Sequence, residues 1–194
     1  MKWLLLPVFI LCVTCSFGQS LEFLRADTSD QNKDLPRYLI TEMKFHHGIH
    51  LTTGVDALEE AVEGNPYNAV DMRIGWRGYG RKSWHQFFGN KMTYGLGLNW
   101  AIFNPFNNIL GNPYAVYAFI EYPFIKSKRF WLSLDIAIGG GAGFKPYDPV
   151  KNPNQRAIGA RVNLFFEPQI EFGTMISDRL DLAIGGGLTH YSDG

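Results

Sequence analysis

The residues with the clearest chemical potential stand near the end of the chain: His190 and Ser192, two positions apart. Side chains two apart on an extended strand lie on one face, so the imidazole can approach the hydroxyl. Such a pair suits ester hydrolysis. Histidine takes the hydroxyl proton while serine attacks an acyl carbonyl, and an acyl-enzyme forms. A third, acidic group should orient the imidazole. Asp181, Glu167 and Glu171 are within reach in sequence but have the opposite parity, so the acid is expected from elsewhere. His-x-Ser is only a three-residue pattern in a chain with five histidines. Polar residues at a strand end can also serve simply as interfacial groups.

Other clusters carry weaker chemistry. His46, His47 and His50 resemble a metal set, but on a strand His46 and His50 share one face while His47 takes the other. Three-fold ligation is then geometrically poor, and packing is the expected role. Gly139–Gly143 and Gly185–Gly187 lack the Lys-Ser/Thr and the following helix of a phosphate loop. Close backbone packing explains them better. Lys126-Ser127-Lys128-Arg129 reads as a solvated turn. No metal and no cofactor are expected.

The elements that must position His190 and Ser192 are strands. From Tyr38 onward about seven stretches alternate with a period of two. In the third, Met92, Tyr94, Leu96, Leu98, Trp100 and Ile102 alternate with Thr93, Gly95, Gly97, Asn99 and Ala101. The seventh sets Leu180, Leu182, Ile184 and Leu188 against Asp181, Ala183, Gly185 and Gly187, and His190 and Ser192 continue its apolar series. The fourth, Tyr114 to Phe124, alternates poorly, and Pro168 in the sixth suggests a bulge. The other face of these stretches carries Gly, Ala, Asn and charges of both signs, the filling of a narrow barrel rather than a solvated surface. Asp71, Arg73, Arg77, Asp135, Arg161, Glu167, Glu171 and Asp181 are expected to form a buried lumenal network. The apolar face, with His190 and Ser192 on it, should meet hydrocarbon. Short connections at 125–129 and 177–179, against long ones at 53–66, 104–113 and 145–159, put the His190 end of its strand on the external side. The long connection from Gly78 to Lys91 fits that scheme less well.

Composition agrees with an exported all-β protein. Charge is balanced at 18 basic and 18 acidic residues, which argues against a nucleic-acid partner. Lys2, the apolar run Trp3–Val13 and the small residues Ser16-Phe17-Gly18 read as a signal peptide over residues 1–18, cleaved before Gln19. Cys12 and Cys15 both fall in it, so the mature chain would hold no cysteine. Residues 19–37 read as a flexible lead-in and residues 38–194 as the barrel domain. Single-chain bacterial barrels have an even strand number. Seven stretches therefore imply an eighth strand beyond Gly194, and the 194-residue form is expected to be inactive without it.

Gly187-Leu188-Thr189-His190-Tyr191-Ser192-Asp193-Gly194 resembles the active-site strand of the lipid A 3-O-deacylase (PagL-like) family, and Leu110–Tyr117 resembles relatives labelled acyloxyacyl hydrolase. The resemblance spans roughly Tyr38 to Gly194, with His-x-Ser as its one diagnostic element. It implies an eight-stranded antiparallel up-and-down transmembrane β-barrel in the bacterial outer membrane. It also implies removal of the ester-linked 3-hydroxyacyl chain of lipid A in lipopolysaccharide. His190 would be the general base and Ser192 the nucleophile of a Ser-His-Glu group, the Glu falling past Gly194. Asp193 stands where the family commonly has Asn, which leaves backbone N–H groups near Asp193 and Gly194 as candidate oxyanion donors. A non-enzymatic barrel with a structural or adhesion role, or a narrow channel, would fit the same alternation without the pair. Acyl-chain preference and oligomeric state are not encoded legibly.

Overall fold

The computed structural model describes residues 4–15, 37–49, 66–78, 92–103, 109–127, 129–153, 155, 158–177 and 180–192. Its strands are β1 (Leu4–Cys15), β2 (Arg37–Gly48), β3 (Tyr67–Gly78), β4 (Thr93–Phe103), β5 (Gly111–Lys126), β6 (Phe130–Phe144), β7 (Val162–Ser177) and β8 (Leu180–Ser192). Each pairs antiparallel with its sequence neighbours, and β1 pairs with β8, so the sheet is a closed up-and-down barrel. At 11 to 16 residues, β2–β8 have the length that crosses a bilayer when tilted.

The strands β2–β8 are the seven stretches expected from alternation. The eighth comes from the other end of the chain: the segment read as a leader supplies β1, which fills the interval between β2 and β8. The reason is edge pairing. The facing edges of β2 and β8 present rows of N–H and C=O groups, and a twelve-residue apolar run satisfies both. Closure is therefore not missing in this structure.

Alternation decides which face is which. Leu98 is 45% and Ile184 58% exposed on the outer wall, whereas their neighbours Asn99 and Ala183 are buried inside. An apolar belt of this extent is not the surface of a water-soluble monomer. Aromatic pairs stand at one rim of the belt: Phe130 stacks on Phe172 at 5.8 Å and Trp76 lies 6.4 Å from Tyr94. Along β5 the burial alternates cleanly although the sequence does not, because Tyr117 and Phe119 point inward. Room for them comes from glycine. A Cβ on Gly97 would run into the Tyr117 ring, and one on Gly75 would lie 2.9 Å from Phe119 Cζ.

The lumen is filled. In its middle, Lys44 donates to Asp135 at 2.8 Å and to Glu171, and Arg73 donates to Asp135 and, at 2.7 Å, to the Tyr117 hydroxyl. Toward the end that holds His190, Phe103, Phe144, Phe165, Tyr191, Leu110 and Ile158 form an apolar plug. The long connection after β6 folds over that end: Tyr147 N–H donates to Ile158 O at 2.9 Å, and Asn152 Nδ2 donates to Ile109 O at 3.0 Å. Within this loop the backbone N–H groups of Lys151 and Val150 hold the Asp148 carboxyl below its usual range.

Two expectations are corrected. Arg161 is exposed and precedes β7, so it lies outside the lumenal network. Pro168 produces no bulge: β6 and β7 stay in register across it, and the irregularities fall near strand ends at Gly111/Tyr114, Pro123/Ile125 and Met175/Ser177. Where Pro168 brings no N–H, the β7–β8 ladder instead skips Glu167 and Pro168 and resumes in the same register. The connections at 53–65, 79–91 and 104–108 lie outside the described residues.

Candidate active site

Strand β8 carries His190 and Ser192, and its inward residues fix how they point. Thr189 is fully buried and donates a hydrogen bond to Glu167 inside the barrel. Tyr191 is also buried inside, edge-on to Phe144 at 4.8 Å and 5.3 Å from Phe165, with its hydroxyl donating to Asn99 at 3.3 Å. Gly141 admits this ring, since a Cβ there would lie 2.8 Å from Tyr191 Cε1. With Thr189 and Tyr191 held inward, His190 between them and Ser192 after them take the outer face. They share that face with Leu182, Ile184 and Leu188, as the alternation implied.

The outer neighbours of the pair come from β7. His190 stands opposite Phe166 and Ser192 opposite Leu164. On its other side His190 is opposite Leu5 of β1. His190 is only 7% exposed and its Nε2 is out of contact with solvent, while Ser192 is half-buried. His190 is thus a shielded histidine on an apolar wall, two residues from a half-buried serine on the same face. The nearby carboxylates do not reach this face: Glu167, Glu171 and Asp181 all point into the lumen. Asp193 and Gly194 lie outside the described residues.

A sequence profile of the lipid A 3-O-deacylase (PagL) family matches residues 70–194, from β3 through the end of β8. The chain belongs to the PagL family. No curated protein and no solved structure matches it. The PagL match covers β7 and β8 entire, so the strand with His190 and Ser192 and its wall partner both lie within it.

In this PagL-family barrel the residues behind the pair were the least legible in sequence. Thr189 and Tyr191 have no reactive pattern, yet they anchor the strand segment that holds His190. Parity was the available signal, because both lie on the lumenal series of the seventh stretch. Lys44 and Glu42 of β2 and Tyr117 and Glu121 of β5 also join the lumenal network. The histidine cluster divides as the strand geometry required. His46 faces the lumen, His47 faces out and meets Asn68 at 2.9 Å, and His50 lies outside the described residues. Gly139–Gly143 and Gly185–Gly187 lie within β6 and β8, with no helix following either run among the described residues.

Proposed function

We propose that this protein is an outer-membrane serine esterase that removes the ester-linked 3-hydroxyacyl chain of lipid A. The observation that carries the reading is the outward face shared by His190 and Ser192, with Thr189 and Tyr191 turned inward on either side of the histidine. His190 takes the proton of the Ser192 hydroxyl as Oγ attacks the acyl carbonyl carbon. The tetrahedral intermediate collapses, the sugar oxygen leaves with the proton from His190, and the acyl group stays on Ser192. Water, deprotonated by His190, then releases the hydroxy acid and restores the serine. Backbone N–H groups near Asp193 and Gly194 serve the oxyanion, and the acid that orients His190 follows Gly194. No cofactor takes part.

The outward apolar wall supports a bilayer seat, and a catalytic pair on that wall meets a substrate whose acyl chains lie beside it. Lipopolysaccharide in the outer leaflet is that substrate, with the His190 end of β8 external. Residues 1–18 act as the export signal. Their removal before Gln19 leaves the edges of β2 and β8 to a strand after Gly194. N-terminal sequencing of the protein recovered from outer membranes checks this, with Gln19 expected first.

Mass spectrometry of lipid A from cells expressing the full-length protein tests the activity. The wild type should shorten lipid A by one 3-O-linked hydroxyacyl chain. Ser192→Ala and His190→Ala should each lower that conversion by about 10³-fold or more, as loss of a nucleophile or its base does in serine hydrolases. Unchanged lipid A with the wild type, while the barrel is present in the membrane, defeats the proposal.

A further inference from the structure

Among the described residues, buried carboxyl groups of the lumen outnumber buried cations. The carboxyl groups are those of Glu42, Asp71, Glu121, Asp135, Glu167, Glu171 and Asp181, against Lys44 and Arg73. Arg77, less deeply placed, meets Asp181 at 3.6 Å. The two buried cations gather on one side. Lys44 and Arg73 both engage Asp135, and Lys44 also engages Glu171 and, at 3.6 Å, Glu42. Among the described residues no lysine or arginine nitrogen comes within ion-pair distance of Glu167.

At that unneutralised end stands His46. It is 3% exposed, and neither ring nitrogen makes a hydrogen bond. Its Nε2 lies 3.6 Å from Asp71 Oδ2, and its Nδ1 lies 3.9 Å from Glu167 Oε2. Asp71 Oδ2 is likewise buried without a hydrogen bond, whereas Asp71 Oδ1 accepts from the Tyr117 hydroxyl. One ligand atom from each of His46, Asp71 and Glu167 falls within 4.8 Å of the other two. The two contacts use different nitrogens of the ring and a cation takes one of them, so donor atoms up to 4.8 Å apart must close to the roughly 3.4 Å spacing around a tetrahedral ion.

We propose that His46, Asp71 and Glu167 form a structural binding site for a divalent first-row transition cation inside the barrel. One imidazole nitrogen and two carboxylates are a donor set that Zn²⁺ accepts, and imidazole disfavours Mg²⁺ and Ca²⁺. The cation would offset the charge of Glu167, which neither Lys44 nor Arg73 pairs with, and part of that of Asp71, whose Oδ1 already lies 3.7 Å from Arg73 Nε. It also ties β2, β3 and β7 together, three strands that are not all neighbours in the sheet. The remaining oxygen contacts of Glu167 are already fixed: Gln169 Nε2 donates to Oε1 and the Thr189 hydroxyl donates to Oε2. The site is thus linked through Glu167 to the strand that bears His190, but it stands apart from the hydrolytic pair and does not depend on it.

The test is metal content, which is independent of deacylation. Full-length protein is refolded into detergent with ZnCl₂, passed through a chelating column, and analysed by mass spectrometry for bound metal. The wild type should retain about one Zn²⁺ per barrel and unfold at higher temperature than protein refolded in EDTA. His46→Gln and Glu167→Gln should each lose the retained Zn²⁺ and the temperature difference. His47→Gln, changed on the outer face, should keep both. If His46→Gln does not fold, the Glu167→Gln variant decides. Folded wild-type protein without retained Zn²⁺, or equal retention in wild type and Glu167→Gln, overturns the site.

Discussion

The side chains proposed to react and the side chains that aim them are different residues on one strand. His190 and Ser192 face outward because Thr189 and Tyr191 are held inward, one by Glu167 and the other by an aromatic pocket of Phe144 and Phe165. Thr189→Val keeps the shape of the side chain and removes the donor to Glu167. The expected outcome is a fall in kcat of between about 10- and 100-fold with KM little changed, since a small misplacement of reacting groups has that effect. Thr189→Ser should restore most of the rate, which a merely structural loss would not allow. Steady-state kinetics on purified lipid A separates these cases. His-x-Ser was legible as a motif, and its parity was legible from Leu182, Ile184 and Leu188. The burial of His190 was not, because neither the motif nor the parity says that Phe166 of β7 stands opposite it.

Strands β2–β8 were legible wherever the lumenal residues were small or charged and the outer ones apolar. The reading weakened at β5, where Tyr117 and Phe119 make both faces apolar. Their partners Gly97 and Gly75 sit on other strands, so the compensation is visible only once the register is known. Gly97→Val drives a side chain into the Tyr117 ring and should cost about 1–3 kcal/mol or more, as overpacking of a filled interior does. Gly140→Val, where a Cβ meets nothing within 4 Å, should be close to neutral. Urea unfolding of the two refolded variants makes the comparison. The lumenal network was assigned by parity, which admitted Arg161 wrongly because β7 begins one residue later. Lys44 is the member whose loss should matter most, since it holds Asp135 and Glu171. Lys44→Met leaves Glu171 buried without its cation and Asp135 with Arg73 alone, and should destabilise the barrel by about 3–5 kcal/mol. The same unfolding assay reads it.

At the scale of the molecule, the barrel inverts the usual relation of core to surface. Its interior holds charges and aromatic rings, and its outer wall is apolar. Leu98 lies midway along β4 on that wall. Leu98→Arg should cost about 2–4 kcal/mol in a lipid bilayer, the penalty of a cation near the midplane of a membrane barrel. Ser127→Arg, in the exposed turn between β5 and β6, should cost little. Folding titrations in vesicles measure both, and equal stability of the two variants would remove the basis for a bilayer seat. What alternation could not supply was the closing strand. Leu4–Cys15 reads in sequence as an apolar run of leader type, and its use as β1 follows from the edges of β2 and β8 rather than from its own pattern.

In the proposed reaction Ser192 acts as a nucleophile on the outer wall under the control of His190. The most direct measurement is covalent trapping. Membranes holding the full-length protein are treated with a long-chain alkyl fluorophosphonate, and the labelled site is mapped by peptide mass spectrometry. One phosphonyl group is expected on Ser192, with labelling strongly reduced in His190→Ala. Unlabelled Ser192 in protein that still deacylates lipid A, or deacylation that persists in Ser192→Ala, would contradict it.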